Sequence, residues 1–526
     1  IADIIRVDGQ FPLPSSPSRK QRVPVNNLAL AGSAGIILLY LLFFRNPRTS
    51  NLPLPPGPTC WPIVGCLFSV PKDEASWKWF AHLGKEKKSD LVYIRVLGQD
   101  TVVLNTHQAA KDLLEGRSNI YSDRPHMTMA SELIGWEDFL RMCQYGDRAR
   151  GMRRLLHATM NPRAVQDWWP QQEQETHKFL RKLLHTPEDL NMHIRYTAGA
   201  TATKLTYGYN IQDGSDEFIV RAERALSAFA YASTPGRFLV DFFPFLKYLP
   251  WAPFKRAAAE WRAQLVDFAE APMEFVHSQL AKGCAEPSFV SSWLQDAAGE
   301  DKPLIPWAAG SIYAGAADTT VSAISTFFIA MLYYPEIQEA AQAEIDRVVG
   351  SDRLPSFTDH DSLPYVEAIF KEVLRWQPLA PIGIPRKLAS DSDDEYKGMR
   401  IPARTNIIAN AWCMLRDPGV YKNPERFNPS RFLGAHPESN PEDIIFGFGR
   451  SYWRRCPGAP VAHSSVWLSI VLTLAIYDIS PLIGDNGAPI LPSLEYTIGV
   501  ISHPSPFRCN IKLRSEKARA LINSTV

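Results

Sequence analysis

Cys456 has the sequence surroundings that point most directly to chemistry. It ends the glycine-rich segment Phe446-Gly-Phe-Gly-Arg-Ser-Tyr-Trp-Arg-Arg-Cys456, which leads into an apolar stretch typical of a helix. Neighbouring arginines and a helix N-terminus both favour the thiolate form of a cysteine. A zinc site is excluded, because no second cysteine follows the usual spacing of two to four residues. A catalytic nucleophile and a buried structural cysteine are the alternatives that the residues leave open.

Asp318 and Thr319 lie in the middle of a long apolar stretch, directly after the small residues Ala314-Gly-Ala-Ala317. A carboxylate inside such a helix is costly to bury, so it is expected to have a charged or hydrogen-bonding partner or a functional role. A hydroxyl beside a carboxylate can relay protons. The alternative is a threonine that hydrogen bonds to the carbonyl four residues earlier and an aspartate that pairs with a distant arginine.

Glu372 and Arg375 are three residues apart on a predicted helix and therefore share one face. Downstream, the segment Asn423-Pro-Glu-Arg-Phe427 places Arg426 in a coil from which it can join that pair. Three charges in a network are worth more than one exposed ion pair. The pattern predicts a charge cluster built from Glu372, Arg375 and Arg426.

The elements that must position these residues are mainly helices with a minor β part, in one large domain. Residues 91–105 predict a hairpin around Gly98-Gln99-Asp100. Apolar periodicity predicts helices over 256–271 (ending at Pro272), 306–332, 336–349, 364–378 and 459–479. The proline-rich final third predicts loops and short strands around the last two of these helices.

The N-terminal 60 residues differ from the rest in composition. Residues 1–27 predict an unstructured tail, and residues 28–44 form an uncharged stretch that spans about 25 Å as a helix. That length suits the thinner bilayer of the endoplasmic reticulum. We therefore expect a transmembrane anchor at 28–44. A buried helix and a signal peptide are the alternatives. Residues 45–60 predict a stiff proline-rich hinge, and residues 61–526 the folded domain.

Composition excludes several classes of protein. A net charge of +1 over 526 residues argues against bulk nucleic-acid binding. Seven cysteines are too few for a disulfide scaffold and indicate an intracellular chain. The absence of G-x-S-x-G and G-x-G-x-x-G segments argues against a serine hydrolase and a nucleotide-dependent dehydrogenase.

The order of these features along the chain resembles that of the cytochrome P-450 family. An acid–alcohol pair, Glu-x-x-Arg, Pro-Glu-Arg-Phe and Phe-Gly-Phe-Gly…Cys-Pro-Gly follow an anchor and a proline-rich hinge. The resemblance covers residues 28 to about 508 and extends to microsomal enzymes of fungal secondary metabolism. It implies the cytochrome P-450 fold behind one transmembrane helix. It also implies a haem-thiolate monooxygenase that inserts one oxygen atom from O₂ into a lipophilic small molecule, such as a terpenoid, polyketide or steroid-like compound.

The resemblance also assigns roles to individual residues. Cys456 becomes the axial ligand of haem iron, and Asp318 and Thr319 become the catalytic pair that delivers protons. Glu372, Arg375 and Arg426 match the structural triad of the family. The cofactor-binding residues implied, besides Cys456, are Arg153, Arg386, Phe446 and Arg454. The substrate-facing segments implied are residues 122–146, 228–254, 379–385 and 496–507. The second of these is aromatic and apolar, which suits either a lipophilic substrate or a membrane surface.

Cofactors, partners and location follow from the same resemblance. It implies haem b, with electrons from NADPH through NADPH–cytochrome P-450 reductase and cytochrome b5 as a second donor. It implies a single-pass protein of the endoplasmic reticulum membrane whose catalytic domain faces the cytosol, and no nucleic-acid partner. Arg150, Arg153, Arg154 and Arg455 suggest a basic face for an acidic reductase, and a merely solvated basic helix is the alternative.

The sequence departs from the family pattern in three places, of which the loop length and Ala149 support a different hypothesis, while Ala316 keeps a small residue and does not. Cys456 lies ten residues after Phe446 where the family has seven, which indicates a three-residue insertion near Ser451-Tyr-Trp453. The tryptophan expected four residues before Arg153 is Ala149, and the glycine expected two before Asp318 is Ala316. The alternative function is therefore a catalytically impaired, membrane-anchored haem- or ligand-binding homologue. Haem-thiolate isomerases and dehydratases are disfavoured because they often lack the acid–alcohol pair, which is retained here.

Overall fold

The computed structural model describes residues 51–62, 64–71, 74–212, 216–296, 299–449 and 455–525. Residues from Leu52 onward form a single compact unit. The predicted tail and the predicted anchor at 28–44 lie outside the described residues.

Helices dominate the described chain. In order they are α1 (Ser76–Lys87), α2 (His107–Ala110), α3 (Asp147–Met160), α4 (Trp169–His185), α5 (Leu190–Tyr207), α6 (Glu217–Ala232), α7 (Phe254–Ala281), α8 (Phe289–Asp296), α9 (Ile305–Tyr333), α10 (Pro335–Val348), α11 (Pro364–Trp376), α12 (Ala411–Met414), α13 (Glu442–Ile445), α14 (Ala459–Ile476) and α15 (Glu516–Ser524). The strands are β1 (Leu91–Val96), β2 (Gln99–Leu104), β3 (Arg386–Lys387), β4 (Asp394–Tyr396), β5 (Met399–Ile401), β6 (Asn406–Ala409), β7 (Tyr477–Ser480), β8 (Leu482–Ile483), β9 (Pro489–Ile490) and β10 (Asn510–Leu513). The predicted fold class, mainly α with a minor β part, is confirmed.

The predicted helices at 306–332, 336–349 and 364–378 correspond to α9, α10 and α11 within a few residues. The prediction that Pro272 ends its helix is wrong, since α7 continues to Ala281. Leu265, Phe268, Met273 and Val276 are all buried, so one apolar face continues through the proline and packing outweighs the lost hydrogen bond.

The predicted helix over 459–479 is also too long. Helix α14 ends at Ile476, and residues 477–480 form β7, which pairs with β10. The ladder to β10 satisfies the backbone that a further helical turn would have used.

The four-stranded sheet has the order β1-β2-β6-β3 and contains the predicted hairpin as β1 and β2. Its turn is formed by Leu97 and Gly98, whose φ angles of 47° and 88° are both positive. That conformation matches a two-residue turn of the mirror-image class, which suits the twist of the strands. The turn therefore begins one residue before the predicted Gly98-Gln99-Asp100. Strand β3 at the edge of the sheet carries Arg386.

The proline-rich segment is tied to this sheet. The carbonyl of Pro53 accepts a hydrogen bond from Arg400 N at 2.8 Å, and that of Pro56 accepts one from Tyr93 N at 2.9 Å. A Cβ on Gly57 would lie 2.0 Å from the Tyr93 carbonyl oxygen, so only glycine fits there. A Cys60–Cys66 disulfide, which the sequence did not indicate, follows directly. The hinge–domain boundary at residues 60 and 61 stays a prediction.

Helix α9 is the central helix and packs against α3, α5, α11 and α14, and its two ends are buried. Within the described residues, 302–333 and 459–476 are long and apolar enough to cross a membrane, but 72% and 61% of their most apolar windows are buried in the protein. Core packing therefore explains their composition. The middle of α9, residues 314–319, is the part that stays partly or fully exposed.

Candidate functional site

The exposed middle of α9 carries Asp318 and Thr319. Thr319 Oγ1 donates to the Gly315 carbonyl at 2.7 Å, which is the local hydrogen bond that the sequence left open as an alternative. A Cβ on Gly315 would meet no heavy atom within 4 Å, so α9 borders open space here. The small residues around 315 therefore leave room for another group beside Asp318 and Thr319.

Asp318 pairs with a histidine, and not with the distant arginine that the sequence left open as an alternative. His503 Nε2 lies 3.0 Å from Asp318 Oδ1. Burial alone would raise the pKa of Asp318. The hydrogen bond and charge of His503, together with the charges of Arg195 and Arg141, outweigh that effect and hold the pKa below its usual value.

His503 is a site residue that sequence reasoning missed. It lies in segment 496–507, which was predicted to face substrate, but nothing in the local sequence links it to α9. Its backbone is fixed by Thr497, whose N–H donates to the His503 carbonyl at 2.7 Å and whose hydroxyl accepts from His503 N at 2.9 Å. This small loop places the imidazole over the acid.

The loop before Cys456 is closed by one backbone hydrogen bond. Cys456 N donates to the Phe446 carbonyl at 2.8 Å, so the first and last residues of the loop 446–456 lie together. Arg455 bonds to the Gly447 carbonyl at 3.2 Å and to Asp443 at 2.8 Å. Arg454 and the predicted insertion near Ser451 lie outside the described residues.

The Cys456 thiol is accessible, but dense protein surrounds it. Burial raises its pKa, while the N–H groups of Gly458 and Ala459 and the charge of Arg153 act in the opposite direction. An accessible thiol with amides and a cation aimed at it is suited to bind a metal as thiolate, since the metal supplies the stabilisation that burial removes. The geometry thus favours a ligand role for Cys456 over a purely structural one.

Arginines flank both sides of this loop. Arg386 donates to the Phe448 carbonyl, and Arg153 donates to the Arg455 carbonyl at 2.9 Å. Arg124, which the sequence did not single out, donates to the carbonyls of residues 384 and 385 at 3.3 and 3.0 Å. Burial lowers the pKa of Arg124 strongly, and the positive charges of Arg386, Arg153 and Arg141 lower it further. Such a group of cations is suited to bind an anionic ligand.

The charge network on α11 is present, but with a different third member. Glu372 and Arg375 are fully buried and joined by hydrogen bonds of 2.7 and 2.8 Å. Arg431 completes the network: its side chain is 2% exposed and lies 3.2 Å from the Glu372 carboxylate. The side chain of Arg426 is 68% exposed and faces Glu336, so its predicted place in the triad is wrong. Arg426 contributes only its backbone carbonyl, at 3.3 Å from Arg375.

The predicted basic docking face is largely neutralised. Arg150 pairs with Asp147 at 2.5 Å, Arg154 with Asp301 at 2.6 Å, and Arg455 with Asp443. These pairs favour the solvated-helix alternative over a strongly positive surface.

Segment 228–254 points large apolar side chains outward. The exposed residues include Leu239, Phe245, Tyr248 and Trp251, the last two each 75% exposed. Exposure on this scale suits contact with an apolar surface rather than with a substrate inside the domain.

Comparison with known proteins decides the family. The model of the family "Cytochrome P450" matches residues 55–511, which is most of the chain. The chain belongs to the cytochrome P450 family. It is 43% identical to cytochrome P450 monooxygenase 208 of Postia placenta over 94% of this chain and 98% of that protein. It is 41% identical to cytochrome P450 monooxygenase claR of Ampulloclitocybe clavipes over 93% and 91%. It is 38% identical to cytochrome P450 monooxygenase COX2 of Coprinopsis cinerea over 96% and 97%.

These relatives establish a fungal-type P450 monooxygenase and do not favour the impaired-homologue hypothesis. Membership of the family implies a haem and electrons from a redox partner. The residues of this P450 fit a haem, because an accessible thiol lies beside a group of arginines that can neutralise two propionates.

The departures from the family pattern have a structural account in this P450. Ala149 is buried in an apolar cluster, so no hydrogen-bond donor replaces the missing tryptophan there. Arg124 lies close enough to Arg153 and Arg386 for their charges to act on it, so it adds a third cation to this group. Ala316 is partly buried beside Gly315, so the side chains of α9 next to the acid–alcohol pair are small.

Proposed function

We propose that this P450 binds haem b through Cys456 and inserts one oxygen atom from O₂ into a lipophilic small molecule of fungal secondary metabolism. Arg124, Arg153 and Arg386 hold the propionates, with Arg454 as a further donor and Phe446 supporting the loop. Electrons come from NADPH through NADPH–cytochrome P-450 reductase or cytochrome b5. The observation that carries the proposal is the accessible Cys456 thiol between arginines that bond to both sides of its loop.

When bound, haem supplies the iron at which O₂ is reduced by two electrons. The protein must deliver two protons to that oxygen and keep the substrate beside it. Thr319 holds a proton at Oγ1 on the exposed middle of α9, and Asp318 lies next to it in the chain. His503 orients Asp318 through the 3.0 Å contact and, by favouring the carboxylate, keeps it able to accept and pass on protons.

Replacing His503 with leucine tests this assignment through a pH profile. Because His503 helps to hold the pKa of Asp318 below its usual value, its loss should raise that pKa. A carboxylate with a lowered pKa stays ionised to lower pH. Without His503, the Asp318 carboxylate should therefore become protonated at a higher pH than in the parent. We expect the acid limb of the product-formation profile to move to higher pH.

The control for this experiment is the double variant with Asp318→Asn. A shift carried by Asp318 must disappear when the carboxylate is absent. An unchanged acid limb in His503→Leu, or a shift that persists with Asp318→Asn, would exclude His503 as the residue that positions the acid.

Thr319→Ala should uncouple electron use from product. The variant keeps α9 and its small residues but lacks the hydroxyl beside Asp318. We expect about tenfold less product per NADPH, equivalent to a barrier change of about 1.4 kcal/mol, with peroxide released instead. NADPH consumption, peroxide and product are measured together. Thr319→Ser retains the hydroxyl and should restore most of the coupling, and equal coupling in the alanine and parent proteins would refute the role.

The exposed aromatic side chains of segment 228–254 support contact with a membrane surface. In this proposal, residues 28–44 form a single-pass anchor in the endoplasmic reticulum membrane, and the domain faces the cytosol. A lipophilic substrate would partition into the same membrane.

The deciding experiment reconstitutes the full chain with reductase and NADPH under ¹⁸O₂ and screens terpenoids, polyketides and steroids. Incorporation of one labelled oxygen atom supports the proposal, and a haem-loaded protein that oxidises none of these classes under NADPH contradicts it.

A further inference from the structure

A second cluster of ligating side chains lies away from the acid–alcohol pair. His360 Nε2 and His463 Nε2 lie 3.3 and 2.9 Å from the same oxygen, Oε2 of Glu367, and all three ligand atoms fall within 4.8 Å of one another. The other carboxylate oxygen, Oε1, lies 3.2 Å from Lys371. Two imidazole nitrogens and one carboxylate oxygen therefore converge on one point.

The rings are held in place by aromatic neighbours. The His360 ring lies 4.8 Å from the ring of Trp467, and the His463 ring lies 4.4 Å from that of Phe370. The side chains of His360 and His463 are 32% and 28% exposed, while that of Glu367 is 17% exposed. The cluster is thus fixed on its inner side and open to solvent on its outer side, which leaves an entry path and room for a further ligand.

The outer ring nitrogen of His360 has a partner of its own. His360 Nδ1 lies 3.1 Å from Asp361 Oδ1. Each ring nitrogen of His360 thus faces a carboxylate oxygen, and metal binding through Nε2 requires the tautomer that carries its proton on Nδ1. With the proton on Nδ1, the lone pair of Nε2 points at the Glu367 oxygen, and a cation between these two atoms removes the repulsion. Histidine ligands of metals are oriented by carboxylates in this way.

We propose that His360, Glu367 and His463 form a site for a divalent transition metal, of which Zn²⁺ is the ion best suited. Two histidines, one carboxylate and a position open to water form a known type of zinc donor set. Tetrahedral zinc with bonds of about 2.0–2.1 Å places its ligand atoms about 3.3 Å apart. The His360–Glu367 separation of 3.3 Å meets that value, the His463–Glu367 separation of 2.9 Å is slightly shorter, and all three ligand atoms lie within 4.8 Å of one another.

The three ligands come from three elements. His360 lies on the short helix at Phe357–Ser362, Glu367 on the first turn of α11, and His463 on the first turns of α14. Helix α11 also carries Glu372 and Arg375, and α14 begins three residues after Cys456. A bound metal ties these elements together and so stabilises the region that holds the cysteine.

The test uses the haem-loaded full chain after removal of metals by a chelator. Titration with ZnCl₂ in a calorimeter should show one equivalent bound, and the apparent Tm should rise by about 3 °C at a hundredfold excess over Kd. The zinc-edge X-ray absorption spectrum, which is separate from that of iron, should show two imidazoles at about 2.0–2.1 Å.

Glu367→Gln and His463→Gln should each lose this equivalent and its Tm increase. His436→Gln and Cys284→Ser, which alter exposed side chains elsewhere, should retain both. An unchanged haem spectrum shows that a variant has folded. The proposal is wrong if the parent chain binds no zinc, if its spectrum lacks histidine ligands, or if the folded Glu367→Gln and His463→Gln variants bind zinc as the parent does.

Discussion

Replacing Cys456 with serine is expected to abolish both haem–thiolate ligation and monooxygenase activity. The thiol is accessible, is flanked by arginines and has the amides of Gly458 and Ala459 directed at it. A serine hydroxyl occupies nearly the same space but remains protonated and does not replace a thiolate as a strong donor to iron. The reduced, carbon monoxide-bound protein should therefore lose the red-shifted Soret band of thiolate-ligated haem, and product formation should fall below detection.

Cys284 provides the matched control for this variant. It is also a free, exposed cysteine, but it lies in the segment after α7, where its sulfur contacts Gln279. Cys284→Ser should leave the spectrum and the activity unchanged. A red-shifted band that survives Cys456→Ser would show that another residue ligates the iron, and the proposed site would have to be abandoned.

Arg431→Met should destabilise the protein by about 3–5 kcal/mol, because it removes a buried cation from Glu438 and leaves Glu372 with Arg375 as its one remaining cationic partner. Arg431 lies 3.2 Å from Glu372 and 2.6 Å from Glu438, and its side chain is 2% exposed. It also donates to the carbonyl of Lys422 at 2.9 Å. Methionine fills the volume but satisfies none of these groups. The midpoint of denaturant unfolding, measured on the haem-loaded protein, should fall, and the haem content of the expressed protein should fall with it.

Arg426→Met is the matched control, since Arg426 is the other arginine in the same coil. Its side chain is 68% exposed and its contact with Glu336 is 3.7 Å long. We expect a change within about 0.5 kcal/mol, as for most exposed substitutions. If Arg426→Met lost more stability than Arg431→Met, Arg426 and not Arg431 would be the third member of the triad.

The confusion between these arginines shows what the sequence alone can specify. Asn423-Pro-Glu-Arg-Phe427 and Asn428-Pro-Ser-Arg-Phe432 repeat the same spacing five residues apart. The first matches the literal family motif, so the sequence favoured Arg426. Only packing distinguishes them, because burial against Glu372 depends on how the coil is folded under α11. The repeated Asn-Pro-x-Arg-Phe was the signal that could have raised the second candidate.

Long apolar helices were predictable because their pattern is local. Helix α9 was expected within one residue at each end, since a continuous apolar stretch has few other ways to bury its surface. His503 and Arg124 were not predictable, because their partners are distant in the sequence. His503 contacts Asp318, and Arg124 bonds to the carbonyls of residues 384 and 385. Their roles follow from the tertiary arrangement, which no local pattern in one sequence encodes. The prediction that Pro272 ends its helix was wrong for a related reason. Packing on both sides of the proline outweighed the local rule that proline ends a helix.

The hydrogen bond from Cys456 N to the Phe446 carbonyl holds the two ends of the cysteine loop together. Because the bond fixes where the loop leaves and rejoins the fold, extra residues between its ends need not displace the sulfur. Chain statistics put the added closure cost of a ten- over a seven-residue segment at about 0.3 kcal/mol. The backbone of Cys456, the proposed iron ligand, should therefore keep its place relative to Phe446 despite the three additional residues.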